Sequence, residues 1–198
     1  MPLLAFRRVA MRLAGAVILL VLPALGSSTA AADPAQLVQS TAQQVIDIVK
    51  TKTGADRQAA ILTVLQASFD MPAMGRAALG THWNQATEEE RTRFLKAVAS
   101  AEARAYSERF GQYAGQTLTV GKVQQRSNGA SIVDSKLNQA TGQPIKLEWE
   151  VRGDRITDVK VEGVSMVMTR RSDFNSYIQN HGGKVDALLQ ELESRAGR

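Results

Sequence analysis

The stretch that most limits how this chain can fold is Ile156 to Arg171, ITDVKVEGVSMVMTRR, because its apolar residues change parity halfway along. Successive side chains of a strand point to opposite faces, so Val159 and Val161 share one side. After Glu162-Gly163 the apolar set is Val164, Met166 and Met168, on the other parity. A glycine at the switch predicts a bulge, which inserts a residue, bends the strand and re-aims its side chains. The stretch reads as the last strand of an antiparallel sheet, kinked at Gly163, whose concave face is closed by helices around something apolar.

The residues before it support a one-sided sheet. Ile145, Leu147, Trp149 and Val151 alternate with Lys146, Glu148, Glu150 and Arg152, one face apolar and the other solvated. Leu118 and Val120 alternate in the same way, and Ile132-Val133 to Leu137 gives a further strand. Asn128-Gly129, Thr141-Gly142 and Gly153-Asp154 are hairpin-type turns. Four strands in a meander are expected over 116–171.

Helices flank this region. Asp33-Pro34 opens one that runs to about Lys52 and stops near Gly54, with Leu37, Thr41, Val45 and Ile48 on one face. Arg57 to Ser68 is a second. In Phe69-Asp70-Met71-Pro72-Ala73-Met74-Gly75, Asp70 caps a short helix that Gly80 ends. Its methionines and small residues fit either a helix plugging the core or a ligand-lining one. Thr87 and Glu90 form a capping box at the start of a long helix. There Phe94, Val98, Ala101 and Ala105 make one stripe, and Leu95, Val98, Glu102, Tyr106, Phe110 and Tyr113 drift beside it. Tyr106 and Tyr113 suit the border between a dry cavity and water, and equally suit an ordinary core. After the sheet, Ser172 is expected to cap a helix carrying Phe174, Tyr177 and Ile178. Gly182-Gly183 breaks it, and Val185, Leu188, Leu189 and Leu192 line a last helix. Helices, then sheet, then helices is an α+β arrangement.

The first 32 residues read as export rather than fold. Arg7, Arg8 and Arg12 precede an apolar run from Leu13 to Leu25 and the Ala30-Ala31-Ala32 site, predicting a signal peptide cleaved after Ala32 and a single domain over 33–198. The domain divides into a helical part at 33–115, the sheet at 116–171 and terminal helices at 172–198. The run is shorter than the roughly 20 residues of a membrane span. Three of the 24 basic residues lie in that segment and none of the 19 acids do, leaving 21 against 19. A net charge near +2 lacks the concentrated basic footprint of a nucleic-acid binder. With no cysteine, disulfides, thiolate nucleophiles and zinc-thiolate sites are excluded.

Catalytic readings find little support, and no metal or other cofactor is expected. His82 and His181 lie in no metal-ligand pattern. Gly163-Val164-Ser165-Met166-Val167 begins like a nucleophile elbow but lacks the closing glycine, and no helix is expected directly after it. Glu148 and Glu150 share a solvated strand face, where nothing tunes a carboxylate pair.

Three segments in order carry a resemblance. Phe69-Asp70-Met71-Pro72-Ala73-Met74 with Ala78-Leu79-Gly80 and Trp83, then Tyr113-Ala114-Gly115-Gln116-Thr117, then Val161-Glu162-Gly163-Val164-Ser165-Met166 and Phe174, resemble the MlaC family. These are periplasmic phospholipid carriers of Gram-negative bacteria, also called toluene-tolerance proteins, with a hopanoid-associated branch. The E-G-V-S followed by an apolar residue is the most specific piece. The resemblance implies a curved antiparallel sheet packed with helices in an NTF2-like cone around a cavity for acyl chains, with the headgroup near solvent. It also implies a periplasmic monomer that shuttles phospholipid between an outer-membrane lipoprotein complex and an inner-membrane ABC transporter with an MCE-domain subunit, supporting outer-membrane lipid asymmetry.

Carried over position by position, the resemblance places Tyr106 and Val164 in the lipid pocket. Met74, Leu79, Phe110, Leu147, Trp149 and Met166 join them from alternation and neighbourhood, Trp149 taking the other side if the strand face is inverted. Two rivals stay open beside the carrier: an enzyme on the same cone-like fold using His82 or a buried acid, and an exported interaction module with a dry core and no ligand. A hopanoid or other isoprenoid is the alternative cargo.

Overall fold

A computed structural model describes residues 33–111 and 115–197. The expected signal segment with its cleavage after Ala32, and Tyr113, lie outside the described residues. The elements are α1 (Pro34–Thr51), α2 (Gly54–Ser68), α3 (Met71–Leu79), α4 (His82–Gln85) and α5 (Glu88–Phe110). Then come β1 (Thr117–Gln125), β2 (Ser131–Asn138), β3 (Ile145–Arg152), β4 (Arg155–Val161) and β5 (Val164–Ser165), followed by α6 (Met166–Asn180) and α7 (Val185–Gly197).

The local capping chemistry behaves as the sequence predicts. Asp33 accepts the Ala35 N–H at 3.0 Å and Asp70 accepts the Ala73 N–H at 3.0 Å, each satisfying a backbone donor that a helix start leaves free. The Thr87–Glu90 box is complete: Glu90 N–H donates to Thr87 Oγ1 at 3.2 Å, and Thr87 N–H donates to Glu90 Oε2 at 2.8 Å. Gly54, expected to end the first helix, instead opens α2, and the single-turn α4 has no counterpart in the sequence reading.

The sheet is open and antiparallel, in the order β1-β2-β3-β4-β5. Its irregularities sit elsewhere than expected. In β1, Gly121 and Lys122 together oppose Asp134 of β2, and in β4 Thr157 is the extra residue between the pairs Glu150–Asp158 and Val151–Ile156. These extra residues bend their strands.

Glu162-Gly163 is not a bulge. It is a two-residue turn that reverses the chain, so that Val161 pairs with Val164 and Lys160 with Ser165. Both turn residues have positive φ, 49° at Glu162 and 81° at Gly163, as a tight hairpin matched to strand twist requires. The Glu162 backbone is disfavoured for a side-chain-bearing residue. Two bonds to β3 hold it there: its carboxylate accepts the Lys146 N–H at 2.6 Å and its own N–H donates to the Lys146 carbonyl at 2.9 Å.

The strand expected to reach Arg171 therefore ends at Ser165, and α6 begins at Met166. Ser165, not Ser172, is its cap: Oγ accepts the Met168 N–H at 3.1 Å, while Asp158 of β4 accepts the Val167 N–H at 3.2 Å. A helix thus does follow Ser165 directly, contrary to expectation. Ser165 nevertheless keeps an ordinary extended backbone, φ −67° and ψ 128°, with its hydroxyl engaged in the cap.

Buried side chains form three clusters. Phe94 of α5 meets Phe174 of α6 edge-on at 5.7 Å, within a helical core that includes Leu188, Leu189 and Leu192 of α7. Val38 of α1 closes over Val133, Val151 and Ile156 of the sheet. Ile61 and Leu65 of α2 pack on Ala103 of α5. Replacing Ser165 by alanine should lower unfolding free energy by about 1 kcal/mol, the usual worth of a helix N-cap. Ser172→Ala should stay within about 0.5 kcal/mol of the parent; urea denaturation of the two variants side by side checks the assignment.

Candidate functional site

The inner face of the sheet is covered over only half its length. At the end carrying the β1–β2 and β3–β4 turns, Val133, Val151 and Ile156 are buried beneath Val38 and Phe69. At the other end Leu118, Leu137, Ile145, Leu147 and Val161 stay half-buried. They face a cavity of about 710 Å³. That lies within the range of small-molecule sites, roughly 300–1,000 Å³. Helices complete the wall: Val45 and Val49 from α1, Ile61 and Val64 from α2, Met71 and Met74 from α3.

The α5 wall is a single stripe, Val98, Glu102, Tyr106, Arg109 and Phe110. Spacings of three and four keep these residues on one side of the helix. Tyr106 and Phe110 stack with ring centres 5.7 Å apart. Opposite them α6 contributes Met166, Thr169 and Arg170. Arg170 Nε and Nη2 donate to the two carboxylate oxygens of Glu102 at 2.5 and 3.1 Å, and Nη1 donates to Asp173 at 3.3 Å. A fork-to-fork pair of this kind fixes two elements relative to one another. It raises Arg170 above its ordinary value, the hydrogen bond to Glu102 being the first cause. Burial pushes the Tyr106 phenol above its ordinary value too, and the Glu102 carboxylate adds to the effect.

The structure brings Tyr106, Met74, Phe110, Leu147, Trp149 and Met166 to this one cavity. Trp149 sits on the inner face, its Nε1–H donating to Ser135 Oγ at 2.8 Å, so the strand face is not inverted. Two residues lie elsewhere. Val164, on the two-residue edge strand, is 57% exposed and off the cavity wall. Leu79, at 2% exposure, is packed in the helical core with Phe94 and Phe174. His82 is buried, with Nε2 3.0 Å from Asn175 Oδ1, away from this cavity.

The sequence reading missed Glu102 and Arg170 as wall residues. A carboxylate inside an otherwise apolar helical stripe was the available signal, because a buried charge needs a partner. Among the described residues no group of three or more His, Cys, Asp or Glu is placed to hold a metal ion. No described helix is long and apolar enough to cross a membrane.

Residues 39–194 match the family model described as MlaC protein. The chain belongs to the MlaC family. Its fold is similar to that of a phospholipid-binding protein from Ralstonia solanacearum solved in complex with a phospholipid, with a TM-score of 0.69 over 84% of this chain and 98% of that one. The two share 20% of their residues, so the likeness is one of fold. In this MlaC-family chain the matched 84% includes most of the described helices and sheet.

Glu102→Gln should cost about 1 kcal/mol or more, since it takes the carboxylate away from two of the three Arg170 nitrogens in a partly dry wall and leaves only Asp173 as a charged partner. Thermal and urea unfolding measure it. Tyr106 also carries a pH signature. Its raised value means the unfolded chain releases this proton first, so the associated stabilisation is intact below about pH 10 and is lost as pH rises through the folded-state value. Tyr106→Phe should therefore soften the alkaline loss of stability, read as urea midpoints at about pH 9 and pH 11.

Proposed function

We propose that this protein is a soluble periplasmic carrier that holds phospholipid acyl chains in the cavity under the open half of its sheet. The observation that carries the reading is the cavity itself: about 710 Å³, walled by aliphatic and aromatic side chains from five helices and four strands, with its charges gathered on the α5–α6 side. Membership of the MlaC family, and the phospholipid bound by the Ralstonia protein of similar fold, favour phospholipid as the cargo.

The wall residues have simple roles in this reading. Met74 and Met166 adapt to chains of irregular path. Leu147 and Trp149 give the floor, and Tyr106 with Phe110 the α5 side. No bond is made or broken. Loading exchanges the dry interior of a bilayer for the dry interior of the cavity, so the carrier needs no chemistry and works as a binding and transport protein rather than an enzyme. Its route is between an outer-membrane lipoprotein complex and an inner-membrane ABC transporter with an MCE-domain subunit. It acts there as a monomer delivered by its signal peptide, in support of outer-membrane lipid asymmetry.

Mass spectrometry of organic extracts from protein purified out of a bacterial periplasm without detergent should find near-stoichiometric phospholipid. Tyr106→Glu, which puts a charge into the wall, should purify folded but lipid-poor, whereas Val164→Asp, at an exposed position, should keep its lipid. Folded parent protein carrying no lipid, or a fully loaded Tyr106→Glu variant, would overturn the assignment of the cavity.

A further inference from the structure

The charges in the cavity wall do not balance. Among the described residues its charged members are Glu102, Arg109 and Arg170, and Glu102 is committed to Arg170. All the donor positions of Arg170 that lie in contact range serve carboxylates, two nitrogens on Glu102 and the third on Asp173. Arg109 is different. It is exposed, and among the described residues no carboxylate pairs with it.

Its position is as informative as its charge. Arg109 lies seven residues after Glu102 on the same wall stripe, roughly 10 Å farther along α5 at 1.5 Å per residue. It belongs to the last turn of the helix, which leads towards β1. That is the open end of the sheet, where Gln116 just before β1 and Gln139 just after β2 also reach the cavity. The apolar space thus ends in a polar rim carrying one unneutralised guanidinium. An apolar volume closed by a single cation is complementary to an amphiphile whose tails end in a single anion.

A guanidinium offers five donors in a planar fork, matched to two oxygens of a phosphate. The last-turn position also sets the cation against the negative end of the helix dipole. That interaction runs through space and leaves the donors free for a ligand.

We infer that Arg109 is the phosphate-binding residue of the cavity, holding the phosphodiester of a bound lipid at the rim while Glu102 keeps Arg170 occupied and its charge compensated in the wall. The inference rests on the carrier reading and adds a specificity to it: the site selects phosphate-bearing diacyl lipids over neutral ones with identical chains. Selection comes from the rim, because the apolar wall meets the same tails in both.

The test is a competition. Protein purified from the periplasm is exchanged against vesicles containing phosphatidylglycerol and diacylglycerol with the same acyl chains, re-isolated, and its bound lipids quantified by mass spectrometry. The parent should enrich phosphatidylglycerol roughly threefold to tenfold over the vesicle composition, as one rim-exposed charge-assisted contact allows. The enrichment should shrink as salt is raised. Arg109→Gln should take the two lipids in vesicle proportion, and Arg109→Lys, which keeps the charge but not the fork, should fall between. The readout is a ratio within one sample, so a change in total loading does not enter it. Equal uptake by the parent, or an undiminished preference in Arg109→Gln, overturns the inference and leaves the carrier reading standing. A parent that loads neither lipid overturns both.

Discussion

A sheet with one apolar face has to bury that face, and here the burial is deliberately incomplete. Where α1 crosses, Val38 and Phe69 close over Val133, Val151 and Ile156, and the packing is that of an ordinary core. Two strand pairs farther along, Leu147 and Val161 on the same face stay half-buried and line the cavity, because the neighbouring helices pack on one another instead. α5 lies against α2 and α7, and α3 against α6. Phe94, Phe174 and the leucines of α7 form a separate helical core that supports this stand-off. The cavity follows from that division: one half of the sheet is a lid on the core, and the other half is a wall.

Holding α5 and α6 apart at a fixed spacing needs something other than hydrophobic contact, which tends to close such a gap. The Glu102–Arg170 pair supplies it. The two side chains are 17% and 33% exposed, dry enough for the attraction to be weakly screened and wet enough to avoid the full desolvation cost of a buried pair. Because both oxygens of the carboxylate are engaged, the pair fixes orientation as well as distance. Arg170 belongs to the helix whose start Ser165 and Asp158 define, so the spacing depends on the hairpin that places that start.

That hairpin is also where the sequence was hardest to read. A bulge and a two-residue turn both shift apolar parity by one, and Val159, Val161, Val164 and Met166 fit either. What decides between them is the bond of Glu162 to Lys146, sixteen residues away, and the cap from Asp158 onto Val167. Neither is visible in local periodicity. The consequences are seen at Val164: pairing with Val161 puts it on the same side of the sheet, but β5 is a two-residue edge and leaves it in solvent. By contrast, the face of β3 was legible because four apolar and four charged residues alternate without a break, and Trp149 lies where that pattern puts it. The capped starts of α1, α3 and α5 were legible because each is set by residues within three positions. Leu79 shows the limit of neighbourhood arguments: it is on the same short helix as Met74, yet one faces the cavity and the other the helical core, according to what packs on α3.

On the carrier reading, these features divide affinity from selectivity. A chain of about 16 methylenes taken from water into the cavity gains roughly 13 kcal/mol at about 0.8 kcal/mol per methylene, and two such chains would pass the practical ceiling of non-covalent binding. The relevant source is a bilayer, however, where the chains are already dry, and the difference between two apolar surroundings is small. Aliphatic walls therefore hold any tail of suitable length about equally well and release it as readily to another membrane. Discrimination must come from groups whose surroundings do differ between membrane and protein, and those are the groups at the rim. In the membrane a lipid phosphate meets mobile counter-ions and neighbouring headgroups; at the cavity it meets one fixed guanidinium. The wall sets what length and number of chains fit, and the rim sets which molecule bearing those chains is kept.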